Sequence, residues 1–162
     1  MSDTVLSVAY NSQLTVKTGV TPLGESQITI TNVGMNTVVN ASPTTTPAVS
    51  IRGRVKAVMS GGALANAIDL TAIPQEQGAD ADGTGKKVQF IKFINPGANP
   101  ITVAKGASNG SDALGSDFSI TIPAGGEVLV KCNGGNNIGS SNKTFDISGT
   151  LAQYLLAEIC VG

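Results

Sequence analysis

Phe118-Ser119-Ile120-Thr121-Ile122, then Pro123-Ala124-Gly125-Gly126, then Glu127 to Cys132: this stretch decides the fold class. Apolar and small polar residues alternate through 118–122, the period of a strand with one wet face. Proline and two glycines punctuate the chain, and a second strand-forming run follows. Ile28-Thr29-Ile30-Thr31 and Phe145-Asp146-Ile147-Ser148 repeat the alternation. Longer strand candidates are Ala48 to Met59, Lys86 to Asn95, Glu127 to Cys132 and Leu151 to Val161; shorter ones are Val5 to Tyr10, Leu14 to Lys17 and Ile101 to Ala104.

Two segments admit a helix. In 64–73, Ile68, Leu70 and Ala72 alternate, which favours a strand. In the last segment Leu151, Tyr154, Leu155 and Glu158 have helical spacing, but Ile159-Cys160-Val161 are strand formers, so a closing strand is expected. Turn signals recur at Gly61-Gly62, Asp82-Gly83, Asn95-Pro96-Gly97 and 133–137. Many short strands separated by such turns read as a sandwich or barrel. The expected fold class is all-β: an antiparallel β-sandwich, jelly-roll-like, with an extended N-terminal strand region.

At 162 residues one domain is expected. Residues 41–47, Ala-Ser-Pro-Thr-Thr-Thr-Pro, mark a soft boundary between an N-terminal arm over 1–60 and a main body over 64–162. A chain this long buries roughly 68–70% of its unfolded surface, enough for a core without metals or disulfides.

Composition narrows the chemistry. Charged residues make up 13% of the chain, against about 25% on average. Ser, Thr, Asn and Gly must cover the surface instead, which suits lateral packing because few charges are desolvated on contact. A net charge of −1 gives no drive toward nucleic acid or anionic membranes. Histidine is absent, which removes the commonest general base and metal ligand, so an enzyme is not expected. Tryptophan is absent and Phe and Tyr are few, a poor supply for stacking bases or sugars. Cys132 and Cys160 lie in apolar strand-like stretches and are expected as free buried thiols, a mutual disulfide being the alternative. The N-terminus shows no signal-peptide pattern, and no apolar run reaches the ~20 residues a bilayer requires, so synthesis in a cytoplasm is expected.

Candidate sites are few. Asp80-Ala81-Asp82-Gly83 opens like a calcium loop, but no Glu stands at the far end, and the alternative is an acidic loop tip within the polar segment 74–85. Arg52, Arg54 and Lys56 alternate and share one strand face. They read either as a solvated or aggregation-guarding edge or as an ion-pairing strip for an acidic neighbour. The Gly-rich stretch 106–111 lacks the Lys-Ser/Thr ending of a phosphate loop. Asp69 and Asp146 are expected as outward-facing strand aspartates. No catalytic residue, resident metal or cofactor is expected.

Taken in order, Ile68-Asp69-Leu70-Thr71, the run Val88 to Asn95, Ile101-Thr102-Val103 leading to Gly106-Ala107-Ser108-Asn109, 118–122 ending in Pro123-Ala124-Gly125-Gly126, Phe145-Asp146-Ile147 and Glu158-Ile159-Cys160-Val161-Gly162 resemble small phage proteins encoded near capsid genes. The resemblance covers residues 64–162 and rests on strand and turn order. It implies a virion structural role as a decoration, cement or head-fibre subunit, docked on other virion proteins such as the major capsid protein and assembled as a homotrimer. The alternatives are a jelly-roll coat protein that forms the shell itself, and a surface adhesion or carbohydrate-binding module.

Overall fold

The computed structural model describes residues 48–75, 79–132 and 135–162 in full, and before them the backbone of four strands. Those four are β1 (Val8–Ser12), β2 (Val16–Val20), β3 (Gln27–Thr31) and β4 (Thr37–Ala41). They form two separate two-stranded antiparallel sheets, β1 with β4 and β2 with β3. The strand β4 was not expected from the sequence: Thr37-Val38-Val39-Asn40-Ala41 is short and carries no clean alternation. The Thr/Pro stretch that follows lies outside the described residues from 42 to 47.

Eight further strands build the body: β5 (Ile51–Val58), β6 (Ala63–Asp69), β7 (Val88–Ile94), β8 (Ile101–Lys105), β9 (Ser119–Ile122), β10 (Glu127–Lys131), β11 (Thr144–Ser148) and β12 (Tyr154–Val161). No helix occurs among the described residues. The strands divide into two four-stranded antiparallel sheets, with orders β10-β7-β12-β5 and β6-β11-β8-β9. Every connection crosses from one sheet to the other except β8 to β9, which pair with each other. This is the jelly-roll order of two interlocked Greek keys. The Pro123–Gly126 turn is therefore a corner, not a hairpin: β9 stays beside β8 while β10 crosses to pair with β7.

The period of two then fixes the core. From one sheet Ile51, Ala57, Ile91, Phe93, Leu155, Ala157 and Ile159 point inward, and from the other Ile68, Ile101, Val103, Ile122, Phe145 and Ile147 meet them. Each large side chain so buried contributes about 1.5–3 kcal/mol relative to exposure. Phe145 spans the two layers, edge-on to Phe93 at 6.4 Å and to Phe118 at 5.4 Å between ring centroids.

The 64–73 segment is a strand only as far as Asp69. Leu70 and Ile73 are fully buried, but Ala72 is exposed in the turn that follows, so the alternation does not run through it. The closing segment is a strand, β12, which pairs with both β5 and β7 at the centre of its sheet. The turn into it holds Ala152 at φ 64°, a conformation that an L-residue other than Asn or Gly adopts at a cost of about 1–2 kcal/mol. Ala152→Gly is expected to raise stability by about 1 kcal/mol, read as a higher urea midpoint at unchanged slope; a lower midpoint would contradict it.

Candidate interaction surface

The outer face of the β10-β7-β12-β5 sheet carries most of the chemistry. Cross-strand register sets its rows: Val58 beside Tyr154; Lys56, Leu156, Ile94 and Glu127; Arg54, Glu158, Lys92 and Leu129; Arg52, Cys160, Phe90 and Lys131. The alternation Arg52, Arg54, Lys56 does put the three basic residues on one exposed face of β5, at the edge of its sheet among the described strands. The backbone N–H of Arg54 donates to the Pro74 carbonyl at 3.0 Å, so the loop after β6 covers part of that edge. Gly53 makes this approach possible, because a side chain there would strike Ile73 and the Pro74 carbonyl.

The stripe is not left as bare charge. Glu158, directly across from Arg54 on β12, accepts from Arg54 Nε at 2.8 Å and lies 2.7 Å from its Nη2. Arg52 reaches the same carboxylate at 3.6 Å. Lys56 places its ammonium 4.4 Å from the centroid of the Tyr154 ring, a contact worth about 0.5–1 kcal/mol at an exposed site. On the far side of the face, Lys92 and Glu127 pair at 2.8 Å. Pairs this exposed contribute about 0–1 kcal/mol each; their effect is to fix side-chain positions and lower the net field. Glu158 and Tyr154 escaped the sequence reading because they become neighbours of the stripe only through the β5–β12 register.

Phe90 and Cys160, side by side on this outer face, are 3% and 6% exposed although neither belongs to the core between the sheets. Both cysteines are free, as the sequence suggested, and each is buried. Burial pushes the Cys160 thiol up to about 11, with Arg52 pulling it down and Glu158 pushing it further up; burial alone pushes Cys132 up to about 12.

The opposite outer face, on β6-β11-β8-β9, differs in kind. Thr102, Thr121, Ser119, Ala104, Ser148 and Ala63 make a surface of small, neutral side chains, with the Thr102 and Thr121 hydroxyls 3.0 Å apart. Asp146 is the carboxylate on it, and its oxygens are already engaged: Oδ1 accepts from the Asn66 N–H at 2.7 Å and Oδ2 from the Ala107 N–H at 2.9 Å. Register shifts between Phe145 and Ile147, leaving three residues of β6 opposite Asp146. Asn66, at φ 51°, sits at the centre of that bulge. Asp146 thus pins β6 and the 106–110 loop to β11 instead of merely facing solvent.

Asp69 also differs from a solvated strand residue. Its Oδ1 accepts from the Thr71 N–H and hydroxyl at 2.9 and 2.6 Å, and its Oδ2 meets Lys143 at 2.8 Å. Burial raises its pKa, but the hydrogen bonds from Lys143 and Thr71 and the charge of Lys143 outweigh that and hold it below the ordinary carboxylate value.

Asp82, one of the two aspartates of the calcium reading, has one carboxylate oxygen engaged within its own loop. Its Oδ1 accepts from the Thr84 N–H and hydroxyl at 2.8 and 2.6 Å, which makes it the closing group of a turn. Asp80 is exposed on the same loop, and among the described residues no group of three or more His, Cys, Asp or Glu is placed to hold a metal ion. The Gly-rich 106–111 loop wraps the start of β11: the Gly106 and Ser111 N–H groups both donate to the Thr144 carbonyl, and the Thr144 hydroxyl donates to Ser108 at 2.5 Å. Comparison with known proteins found no matching family model, no matching curated protein and no matching solved structure.

Proposed function

We propose that this chain is a non-enzymatic structural subunit of a phage virion, of the capsid decoration, cement or head-associated kind. It binds the particle through protein–protein contacts, docking on the major capsid protein and on further copies of itself as a trimer. Its place is the virion, after synthesis in the host cytoplasm. The observation that carries this reading is the strand order, β10-β7-β12-β5 against β6-β11-β8-β9. That order recurs in viral capsid domains, lectins and cupins. The chemistry of this chain selects among them. Without histidine it lacks the ligands that the commonest imidazole-based metal sites require. Without tryptophan, and with two tyrosines, it is poorly supplied for stacking against sugar rings.

The two outer faces support assembly in different ways. The small neutral face on β6-β11-β8-β9 can meet another surface with little charge to desolvate. The face bearing Arg52, Arg54 and Lys56 has its charges held in place by Glu158 and Tyr154, so it sets orientation and encounter more than affinity. A chain with 13% charged residues also has weak protection against self-association.

The test is made on purified particles and on the isolated chain together. Quantitative mass spectrometry of particles is expected to find the chain in fixed ratio to the shell subunit. Sedimentation of the isolated chain is expected to give a discrete trimer. Absence from particles, with a monomer at all accessible concentrations, defeats the proposal. Closed shells formed by the chain alone favour the second reading, a shell-forming coat protein, which the same strand order supports.

A further inference from the structure

Phe90 and Cys160 are the starting point. They are buried, yet they stand on the outer face of the β10-β7-β12-β5 sheet, away from the core between the sheets. Within a single chain, something other than the opposing sheet must cover them.

The path of the chain indicates what the cover is. Residue 48 enters the body at the end of the sheet where this row lies: the Ser50 N–H donates to the Val161 carbonyl at 2.9 Å, and Arg52, Cys160 and Phe90 follow in register. The stretch 41–47 leads directly into that point. Seven extended residues reach up to about 25 Å, while the four-stranded sheet is only about 14 Å wide. The region before it is therefore within reach of the whole face.

That region also needs such a surface. Its four strands form two two-stranded sheets, and units of that size are marginal on their own in water. Yet residues 1–47 carry many apolar positions, among them Val8, Tyr10, Val16, Ile28 and Ile30. The charges complement one another: 1–47 holds Asp3 and Glu25 against Lys17, and basic groups outnumber acidic ones on the sheet face.

We propose that the outer face of the β10-β7-β12-β5 sheet is the seat of this chain's own N-terminal region, residues 1–47, which packs its apolar positions over Phe90 and Cys160. This goes beyond the virion reading and stands or falls separately from it. The docked region is a third layer on the jelly roll, and the basic row at Arg52 and Arg54 orients it.

The chain carries its own reporter. Cys160 lies under the proposed cover, whereas Cys132 belongs to the core between the sheets and serves as the internal control. In the native protein both thiols are expected to react with iodoacetamide roughly 100-fold more slowly than in denaturant. Cys160 reacting near the denatured rate while Cys132 stays protected would overturn the proposal. The occupant is read by photo-crosslinking. Lys131 is exposed and ends the Arg52, Cys160, Phe90 row, so Lys131→p-benzoylphenylalanine places a crosslinker beside the covered pair. The expected product has monomer mass and joins 131 to peptides from 1–47. Crosslinks between two chains, or confined to residues 48–162, overturn the proposal.

Discussion

Phe145→Ala is expected to lower the free energy of unfolding by about 3–5 kcal/mol, enough to unfold much of the population of an ordinary small domain. Phe145 is fully buried on β11 and meets Phe93 of the opposing sheet and Phe118 of the strand-leading loop, both edge-on. Truncation removes the transfer free energy of the ring and leaves a cavity at an aromatic contact that spans both layers. Neighbouring Ile and Val side chains are branched at Cβ and held by their strands, so they relax little into the gap. Urea unfolding followed by far-UV circular dichroism measures the loss. Leu151→Ala, at a residue 66% exposed, is the control and should change stability by no more than about 0.5 kcal/mol. A loss at Phe145 as small as that of the control would mean the two sheets are not packed as described.

Asn95→Leu is expected to cost about 2–4 kcal/mol although it exchanges a polar side chain for an apolar one of similar size. Asn95 is fully buried at the end of β7, where the chain turns the corner toward the other sheet. Its amide nitrogen donates toward the carbonyls of Asn99, Ile122 and Pro123 at 2.8, 3.1 and 3.0 Å. Its oxygen accepts from the Gly97 N–H at 3.0 Å and from Gln153 Nε2 at 3.3 Å. One side chain therefore joins the 95–99 corner, the end of β9 and the turn before β12. Leucine fills the volume but leaves those backbone groups without their partner, and orphaned buried groups cost more than the mean hydrogen bond is worth. Asn95→Asp separates packing from hydrogen bonding. A neutral carboxylic acid still donates its one O–H to these carbonyls, whereas an ionised one faces them with oxygen alone. Its pKa is thus raised in the fold, and the variant should lose stability as pH rises through that value. Equal stability of Asn95→Leu and the parent chain would remove Asn95 from this role.

Lys143 is a position at which charge reversal is expected to destabilise the fold. It meets Asp69 at 2.8 Å and is half-buried, so reversal there places two like charges together. Asp69's low pKa means that its contribution to stability is present above about pH 4 and is lost as pH falls further. At Lys87, exposed beside β7, the same reversal is expected to be close to silent.

Much of the body was legible along the chain. Alternation at 118–122 and 145–148 marked β9 and β11, and the β-branched ending Ile159-Cys160-Val161 decided for a strand against the helical spacing of Leu151, Tyr154, Leu155 and Glu158. Arg52, Arg54 and Lys56 were correctly placed on one exposed face of β5. One signal misled. Ala72 continued the alternation of Ile68 and Leu70 past the true end of β6, because an exposed alanine in a turn has the same hydropathy as one in a strand. For Asp80 and Asp82 the sequence left a cation loop and an acidic loop tip open, and the hydrogen bonds from Thr84 show that Asp82 also closes a turn.

The sequence by itself determined that this chain is all-β, where most of its strands run, and which side chains of each strand face the same way. Those properties are local, set by β-propensity and the period of two. Only the tertiary structure decided which strands are partners. Pairing β5 with β12, separated by most of the body, put Glu158 against Arg54 and Arg52 and Tyr154 under Lys56. Crossing the Pro123–Gly126 corner between sheets made a jelly roll out of what a local reading allows to be a hairpin. Burial of Phe90 and Cys160 on an outer face is of the same kind. Alternation tells which residues lie together on one side of a strand, but what comes to rest against that side is settled by contacts between segments far apart in the chain, and no local pattern encodes them.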